Sequence, residues 1–395
     1  MLCKKLKIIF FLLFIVFVLK SQDISYRHYI SENLLEFDES DTIAYKDAYN
    51  KYRLFALGEH HYRKENSEFF ITVFKNLYYN ANVRVIFLES SFAHGLIFEH
   101  YLKTGDDSSL YKITNIGQFS LELYKKLKDF YDELPGDGKF HILGIDVDNY
   151  DVATNFAYAV GLLFQEDEMP KKLKVLLDEF SIIAPPADKR NNKIFEEIYS
   201  DFTEKPEYYK SILNENYNVY RNLLNRVKGS ITLRYYDYNN GQDSIPQTIR
   251  ENYIYNNVVN AIKNYPDYNY FAQFGLAHIG LTRFLIIPEE NPVESFMAKL
   301  NNWESSPIKG QVCTTAILYY TIKIGDLNLY NYKLLYYFTQ LRYANSRKAY
   351  LPGKVYRIIK RTAEKDKMYV LKMDNDGSPL WDIAEKNFQY LILSR

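Results

Sequence analysis

Four short apolar runs alternate with helical patterns in this chain, and they constrain its fold more than any other feature. The runs are Arg53–Leu57, Val83–Leu88, Phe140–Ile145 and Tyr268–Phe274. Each has the length and apolar content of a strand that is buried on both faces. Helical patterns lie between them, at Glu65–Tyr79, Ile97–Leu102 and Phe119–Leu134. Strands separated by helices predict right-handed crossover units, and therefore an α/β fold with a mostly parallel β-sheet flanked by helices.

The middle of the chain has a different character. Residues 150–245 carry leucine and phenylalanine at helical spacing, interrupted by prolines, and we expect a helical insertion beside the cleft of the sheet. A further helix is predicted at Ile245–Ile262. Later β-like runs are Thr314–Thr321, Met368–Met373 and Phe388–Leu393. No repeat or linker divides the chain, so residues 22–395 are predicted to form a single domain.

The N-terminus has the pattern of a secretory signal. Lysines precede an apolar run of 12 residues, Ile8–Leu19, and the small residue Ser21 follows it. The run is short for a membrane span, so we expect residues 1–21 to be a signal peptide and the protein to be exported, periplasmic or secreted. The alternative is an uncleaved N-terminal membrane anchor. With the signal removed, no stable membrane span is expected.

Charge and cysteine content narrow the function classes further. Lys+Arg and Asp+Glu both number 49, so the formal net charge is zero and no nucleic-acid partner is expected. After loss of the signal, Cys313 is the single cysteine, which excludes an intrachain disulfide. Cys313 lies in an apolar run and is predicted to be a buried strand residue.

Polar side chains follow closely on the predicted strands. Glu59, His60 and His61 follow the first strand, Glu89 the second, Asp146 and Asp148 the third, and His278 the fourth. Ligand sites of parallel α/β sheets lie outside the carboxyl ends of the strands. The sequence therefore predicts that carboxylates and imidazoles from distant parts of the chain meet in one pocket.

Each of these residues has a functional and a structural interpretation. Glu59 could hold the tautomer of His61 and raise its basicity, as a general base requires, or the segment could be a capping loop with surface histidines. Glu89 and Asp146 could instead be caps of helices. His278 could be catalytic or a satisfied structural histidine. Arg250 could pair with the carboxylates, stabilise an oxyanion, or lie on a helix surface.

The same set would suit a divalent metal. Glu59, His61, Glu89, Asp146 and His278 are ligand types for Mn, Fe or Zn. The chain has no HExxH motif, no phosphate-binding glycine motif and no GxSxG nucleophile elbow. These absences argue against nucleotide-dependent chemistry and a serine hydrolase triad.

These residues resemble the erythromycin esterase-like superfamily, which includes the ChaN-like haem-binding proteins and, more distantly, the TraB/TIKI proteins. The matching segments, in order, are Ala56-Leu57-Gly58-Glu59-His60-His61, Phe87-Leu88-Glu89, Phe98–Gly105, Gly144-Ile145-Asp146, Arg250-Glu251-Asn252, Ala277-His278 and Tyr390–Leu393. The resemblance implies a parallel α/β core with a helical insertion that forms a cleft. In the esterases a glutamate-supported histidine activates water against a macrolactone, without a metal.

Carried over to this chain, the resemblance implies that Glu59 orients His61, the base, and that Glu89, His278 and Arg250 complete the site. We assign His60, Asp146 and Glu251 to the surrounding pocket. One departure concerns spacing, because the esterase motif has histidine three residues after glutamate, where this chain has Tyr62. His61 comes two residues after Glu59, which looks more like the ChaN-like pattern.

The resulting prediction is an exported hydrolase-like enzyme that acts on an ester, lactone or amide bond of a small-molecule substrate. The alternatives are an exported haem- or metal-binding protein of ChaN-like type, a metal-dependent protease, and a catalytically inactive relative. No cofactor is required if the protein is esterase-like, whereas a divalent metal or haem is expected if it is ChaN- or TIKI-like.

Overall fold

Eight strands form one mixed sheet in the described part of the chain. The computed structural model describes residues 25–61, 63, 65–116, 120–147, 152–165, 168–182, 189–239, 247–282, 293–319, 353–374, 378–381 and 386–394. The strands are β1 (Leu34–Glu36), β2 (Leu54–Glu59), β3 (Val83–Leu88), β4 (His141–Gly144), β5 (Asn269–Gly275), β6 (Val312–Tyr319), β7 (Met368–Lys372) and β8 (Tyr390–Ser394). Their order in the sheet is β1-β7-β8-β6-β2-β5-β3-β4.

Six neighbouring strands, β8, β6, β2, β5, β3 and β4, run parallel to one another. The two strands at the opposite side of the sheet, β7 and β1, pair antiparallel. β7 pairs antiparallel with β8, and β1 pairs antiparallel with β7. β2 lies between β6 and β5, and β3 lies between β5 and β4, all in parallel register. The predicted α/β class with a mostly parallel sheet is therefore confirmed.

Helices cover both faces of this sheet. Their bounds are Lys46–Tyr49, Glu65–Asn80, Phe92–Thr104, Asp107–Ile116, Leu121–Glu133, Val152–Gly161, Lys171–Ile182, Lys189–Glu204, Pro206–Leu213, Tyr217–Asn239, Gln247–Asn264, Phe296–Asn302 and Gly353–Thr362, and residues 25–33 are also helical. None of the helices in these described ranges combines the length and apolar composition that a membrane span needs.

The core is divided into two layers by the sheet. Phe55 and Leu57 of β2 belong to the layer under helix Glu65–Asn80, whereas Leu54 and Ala56 belong to the layer under helix Gln247–Asn264. This alternation follows from the two-residue period of a strand, and it explains why β2 is apolar throughout. Phe74 shows the packing, since its ring lies 4.9 Å from that of Phe140.

Most predicted elements are present, with shifted ends. The first predicted strand continues to Glu59 and the fourth to Gly275, because both keep pairing with each other to that point. The described residues between 152 and 239 are mostly helical, apart from turns or irregular backbone at 162–165, 168–170 and 205, and aromatic residues of this region join the core layer on one face of the sheet. Cys313 is a β6 residue that is 1% exposed, as predicted. Phe119, Ile245 and Thr321, at the ends of predicted elements, lie outside the described residues.

Two glycines let helix Phe92–Thr104 lie directly against β4. A Cβ on Gly95 would lie 2.4 Å from the backbone nitrogen of Gly144, and a Cβ on Gly144 would overlap the carbonyl oxygen of Ser91. No side chain other than hydrogen fits at either position. The close approach joins the segments that follow β3 and β4, where the Asp146 N–H donates to the carbonyl of Ser90 at 3.0 Å.

Replacement of Gly95 by alanine tests this contact. We expect Gly95→Ala to lower the free energy of unfolding by about 1–3 kcal/mol, because the methyl group would press on backbone that has no room to move. Gly161→Ala is the control, since Gly161 is also a helical glycine and has no atom within 4 Å of its added Cβ. The control should be neutral or stabilising by up to about 1 kcal/mol. Equal effects of the two variants in urea unfolding would contradict the close approach.

Candidate functional site

Most of the predicted site residues lie at the carboxyl ends of the parallel strands. Glu59 is the last residue of β2, Glu89 follows β3, and Asp146 follows β4. His278 lies in a short 3-10 turn, Leu276–Ile279, directly after β5. Because β2, β5, β3 and β4 are consecutive in the sheet, their carboxyl ends meet there. Arg250 and Glu251 reach the same place from helix Gln247–Asn264.

Glu89 is at the centre of this cluster and is 5% exposed. Its Oε1 lies 3.0 Å from Arg250 Nη2 and 3.4 Å from His278 Nε2, and its Oε2 accepts a hydrogen bond of 2.6 Å from the N–H of Gly275. Burial raises the pKa of Glu89, but the charges of His278, His61 and Arg250 outweigh it and lower the pKa to about 2. Glu89 is therefore a buried carboxylate at neutral pH. It does not cap helix Phe92–Thr104, because Ser91 does so through its Oγ.

Arg250 pairs with both acidic groups that follow β3 and β4. Its Nε donates to Asp146 Oδ1 at 3.0 Å, and its Nη2 bonds to Asp146 Oδ2 as well as to Glu89. The planar guanidinium suits this two-point contact with a carboxylate. Burial lowers the pKa of Arg250, but the neighbouring charge of Asp146 outweighs it and raises the pKa above its ordinary value. Arg250 thus lies inside the cluster and not on a solvated helix surface.

Two histidines each have a separate carboxylate at Nδ1, through a hydrogen bond for His61 and through a close ion-pair contact for His278. His61 Nδ1 lies 2.9 Å from Glu59 Oε1, and His278 Nδ1 lies 2.7 Å from Glu251 Oε1. Both rings turn Nε2 toward the same oxygen of Glu89, at 3.9 Å for His61 and 3.4 Å for His278. A carboxylate at Nδ1 fixes the proton there and leaves the lone pair of a neutral ring on Nε2.

His61 is the more accessible of the two rings, with 17% of its side chain exposed against 5% for His278. Burial lowers the pKa of His61, but the charge of Glu89 and the hydrogen bond to Glu59 outweigh it and raise the pKa to about 9. In the free protein at neutral pH, His61 is therefore mostly an imidazolium.

The lack of a side chain at Gly275 makes room for His61. A Cβ at this position would lie 2.8 Å from His61 Nε2 and 3.5 Å from Glu89 Oε2. The ring can therefore approach the end of β5 and the Glu89 carboxylate only because residue 275 is glycine.

His60 lies on the other side of the turn, against Tyr319. The two ring centroids are 5.5 Å apart, and the His60 N–H donates to the Tyr319 hydroxyl at 3.1 Å. The Tyr319 hydroxyl bonds to Asn66, whose side-chain amide donates to the carbonyl of His60 at 3.0 Å. Burial, with the charges of Arg63 and His61, lowers the pKa of His60 to about 4. The His60 ring therefore packs against Tyr319, and its assignment to the carboxylate pocket stays a prediction.

The donor set does not fit a divalent cation. Among the residues that the structure describes, no three His, Cys, Asp or Glu side chains are arranged as a metal-binding group. The Arg250 guanidinium lies between Glu89 and Asp146, and Nδ1 of each histidine is taken by its own carboxylate. A cation placed among these carboxylates would meet the charge of Arg250 first. Asp148 and Tyr62 lie outside the described residues.

Four polar residues of the site were not predicted from the sequence. Gln273 donates to the second oxygen of Glu59, and Gln247 donates to Glu251 at 2.6 Å. Tyr319 and Asn66 hold the His60 peptide. Gln273 gave a signal, since it is a polar residue within the apolar run Phe271–Phe274. No such signal marks the other three residues, Gln247, Asn66 and Tyr319, because polar residues are common on helices and at strand ends.

Comparison with known proteins supports the fold. No family model and no curated protein matches the chain. A mutant of the erythromycin esterase EreC in its open conformation is 11% identical, with a TM-score of 0.60 over 91% of this chain and 97% of that chain. A Bacillus cereus protein is 11% identical, with a TM-score of 0.62 over 94% and 97% of the two chains. A succinoglycan biosynthesis protein is 14% identical, with a TM-score of 0.59 over 94% and 96%.

The chain therefore has the erythromycin esterase-like fold, and the resemblance inferred from its motifs is confirmed at the level of the fold. At these identities the likeness does not carry activity, because one fold supports many functions. The catalytic roles of the clustered residues stay predictions.

The pKa of His61 is directly measurable. In an NMR titration of the imidazole C–H signals, we expect His61 to titrate near pH 9 and His60, the internal control, near pH 4. Glu59→Gln should move the His61 midpoint downward, because a neutral amide removes the charge that favours the imidazolium. A His61 midpoint near its ordinary value of 6.5 in the native protein would contradict the geometry.

The same shift has a consequence for stability. The pKa of His61 is higher in the folded state than its ordinary value of 6.5, so its ion pairs stabilise the fold fully below that pH and lose this contribution as the pH rises through about 9. Urea unfolding of the native protein should show this decline, and it should be smaller in Glu59→Gln.

Proposed function

We propose that the protein is a hydrolase in which His61, supported by Glu59, takes a proton from the water that attacks an ester, lactone or amide. The observation that carries the proposal is a partly exposed histidine, His61, whose Nδ1 is bound by the buried carboxylate of Glu59 at the carboxyl ends of the parallel strands. That arrangement fixes the tautomer that a general base needs.

The carboxylates around His61 favour the product of the proton transfer. When neutral His61 accepts a proton, Glu59 and Glu89 stabilise the imidazolium that forms. The same stabilisation keeps about one His61 in a hundred neutral at pH 7 if its pKa is about 9. The activity of the free enzyme should therefore rise with pH until His61 has lost its proton.

The remaining groups of the cluster have two proposed roles, which are to position other side chains and to stabilise the oxyanion. All hydrogen bonds that the structure gives the Arg250 side chain go to Asp146 and Glu89, which supports a positioning role. His278 directs Nε2 into the cluster, and only as an imidazolium does that atom carry the N–H that a developing oxyanion needs. In that form His278 is favoured over Arg250 as the group that stabilises the oxyanion. Glu251 lies against Nδ1 of His278 and would orient that ring through the ion pair.

The substrate class is a small molecule with a hydrolysable carbonyl. Because one of the proteins that share the fold is an erythromycin esterase, a macrolactone belongs among the first substrates to be tested. The haem- or metal-binding protein and the metal-dependent protease stay predictions of the sequence, since no contact among the described residues favours them over water activation.

Replacement of the two adjacent histidines separates catalysis from structure. We expect His61→Ala to lower kcat/KM by about 10²–10⁴-fold on any ester, lactone or amide that the native protein hydrolyses. His60→Ala is the matched control and should change kcat/KM far less, because its ring faces Tyr319 and not the cluster. Acid release in a pH-stat measures both variants, and circular dichroism confirms that they are folded.

The pH dependence sharpens this test. The kcat/KM of the native protein should increase tenfold per pH unit below about 9 and then level. A folded His61→Ala protein that retains the native rate would overturn the assignment of the base, and failure of the native protein to hydrolyse every member of the panel would overturn the proposed function.

We also propose that residues 1–21 direct export and are removed, leaving a periplasmic or secreted protein. The support is the sequence pattern of lysines, a 12-residue apolar run and Ser21. N-terminal sequencing of the protein recovered from expressing cells should begin at Gln22. A membrane-bound product that still begins at Met1 would favour the N-terminal anchor instead.

A further inference from the structure

A cleft lies beside the edge strand β4, outside the cluster of Glu89. Its volume is about 1120 Å³, and it runs along the edge strand β4 between helices Phe92–Thr104, Tyr217–Asn239 and Gln247–Asn264. None of the residues assigned above to catalysis lines it. The cleft is therefore a separate concave surface of a size that suits a small ligand.

Two helices line this cleft with rows of asparagine. Asn218, Asn222 and Asn225 recur at helical spacing on one helix, and Asn257, Asn260 and Asn264 recur in the same way on the other. The helices are joined where the Tyr253 hydroxyl donates to the Arg226 carbonyl at 2.9 Å. Helix faces that approach each other inside a protein are normally apolar, so the amide rows mark a wetted surface and not a packing seam.

Several of these amides are available to a ligand. Asn225 accepts from the Tyr199 hydroxyl and Asn257 donates to the Ile145 carbonyl. The side chains of Asn218, Asn222, Asn260 and Asn264 make no hydrogen bond within the described part of the chain. Each side-chain amide offers two donors and an acceptor, which matches a hydroxyl group that both donates and accepts.

The charge of the cleft is predominantly positive. Its walls carry four cationic side chains, Lys103, Arg221, Arg226 and Lys263, and a single carboxylate, Glu99. Glu99 is already paired, at 3.0 Å with Lys103 and at 3.3 Å with His141. Arg221 and Lys263 are exposed, lie on different helices, and form no ion pair with any described residue.

We propose that this cleft binds an acidic saccharide, a chain of sugar units that carries carboxylates. The amide rows would bind its hydroxyl groups, and Arg221 and Lys263 would pair with its charges. The apolar surface that sugar rings require is also present, since Tyr265 and Leu143 line the same cleft. This site is independent of the proposed hydrolytic centre.

Calorimetric titration of the full-length protein with tetragalacturonate, and with cellotetraose as the uncharged probe, tests the proposal. We expect tetragalacturonate to bind with a Kd of about 1 mM or tighter, more weakly as salt increases, and cellotetraose to bind more weakly still. The double variant Arg221→Gln/Lys263→Gln should weaken tetragalacturonate binding about tenfold and bring the two probes closer together.

A second pair of substitutions addresses the amides. Asn222→Ala/Asn260→Ala should weaken both probes by about tenfold, because each lost hydrogen bond contributes about 0.5–1.5 kcal/mol. The matched control is Asn50→Ala/Lys365→Gln, which removes one exposed amide and one exposed cation outside the cleft. All substitutions are at exposed or half-exposed positions, and thermal unfolding checks that the variants are folded.

Three results would overturn the proposal. These are no binding of either probe, binding that all variants leave unchanged, and cellotetraose binding as tight as that of tetragalacturonate. None of them bears on hydrolysis by His61, whose rate should be the same in every cleft variant.

Discussion

Glu89 is a buried carboxylate, and the groups around it must compensate for the burial of its charge. Removal of an ionised carboxyl group from water costs several kcal/mol unless charges and hydrogen bonds replace the lost hydration. The replacements come from two parts of the chain. The end of β5 and the turn after it supply the N–H of Gly275 and the imidazole of His278, and helix Gln247–Asn264 supplies the guanidinium of Arg250. The ends of β3 and β5 and this helix are therefore held together by the demands of one side chain.

The surplus of negative charge explains the chemical character of the cluster. Four carboxylates, those of Glu59, Glu89, Asp146 and Glu251, face one arginine and two histidines. Glu59, Asp146 and Glu251 each contact one of these basic groups, and Glu89 contacts all three. In such surroundings an imidazolium is favoured, so His61 becomes a strong base that is rarely neutral at pH 7. The same fields that make His61 a good proton acceptor thus restrict the pH range in which it can act.

Much of this arrangement could be predicted, because parallel strands carry their ends to a common edge. The positions of Glu59, Glu89, Asp146 and His278 within a few residues of the ends of apolar runs were enough to predict that they lie close together. Strand ends were predicted less well, since β2 and β5 continue pairing for one or two residues beyond their apolar runs. The choice between His60 and His61 could not be made, because it depends on the hydroxyl of Tyr319, which is more than 250 residues away in the chain.

Hydrophobic periodicity and the positions of polar residues at strand ends were local properties of the chain, and they were sufficient for the α/β class and for the edge at which the cluster lies. The pairing of side chains within the cluster was not a local property of the chain. That Gln273 binds Glu59, that Glu251 binds His278, and that Arg250 lies between two carboxylates depend on how helix Gln247–Asn264 packs on the sheet. Side-chain direction and burial set hydrogen bonds and pKa values, and both exist only once distant segments have packed together.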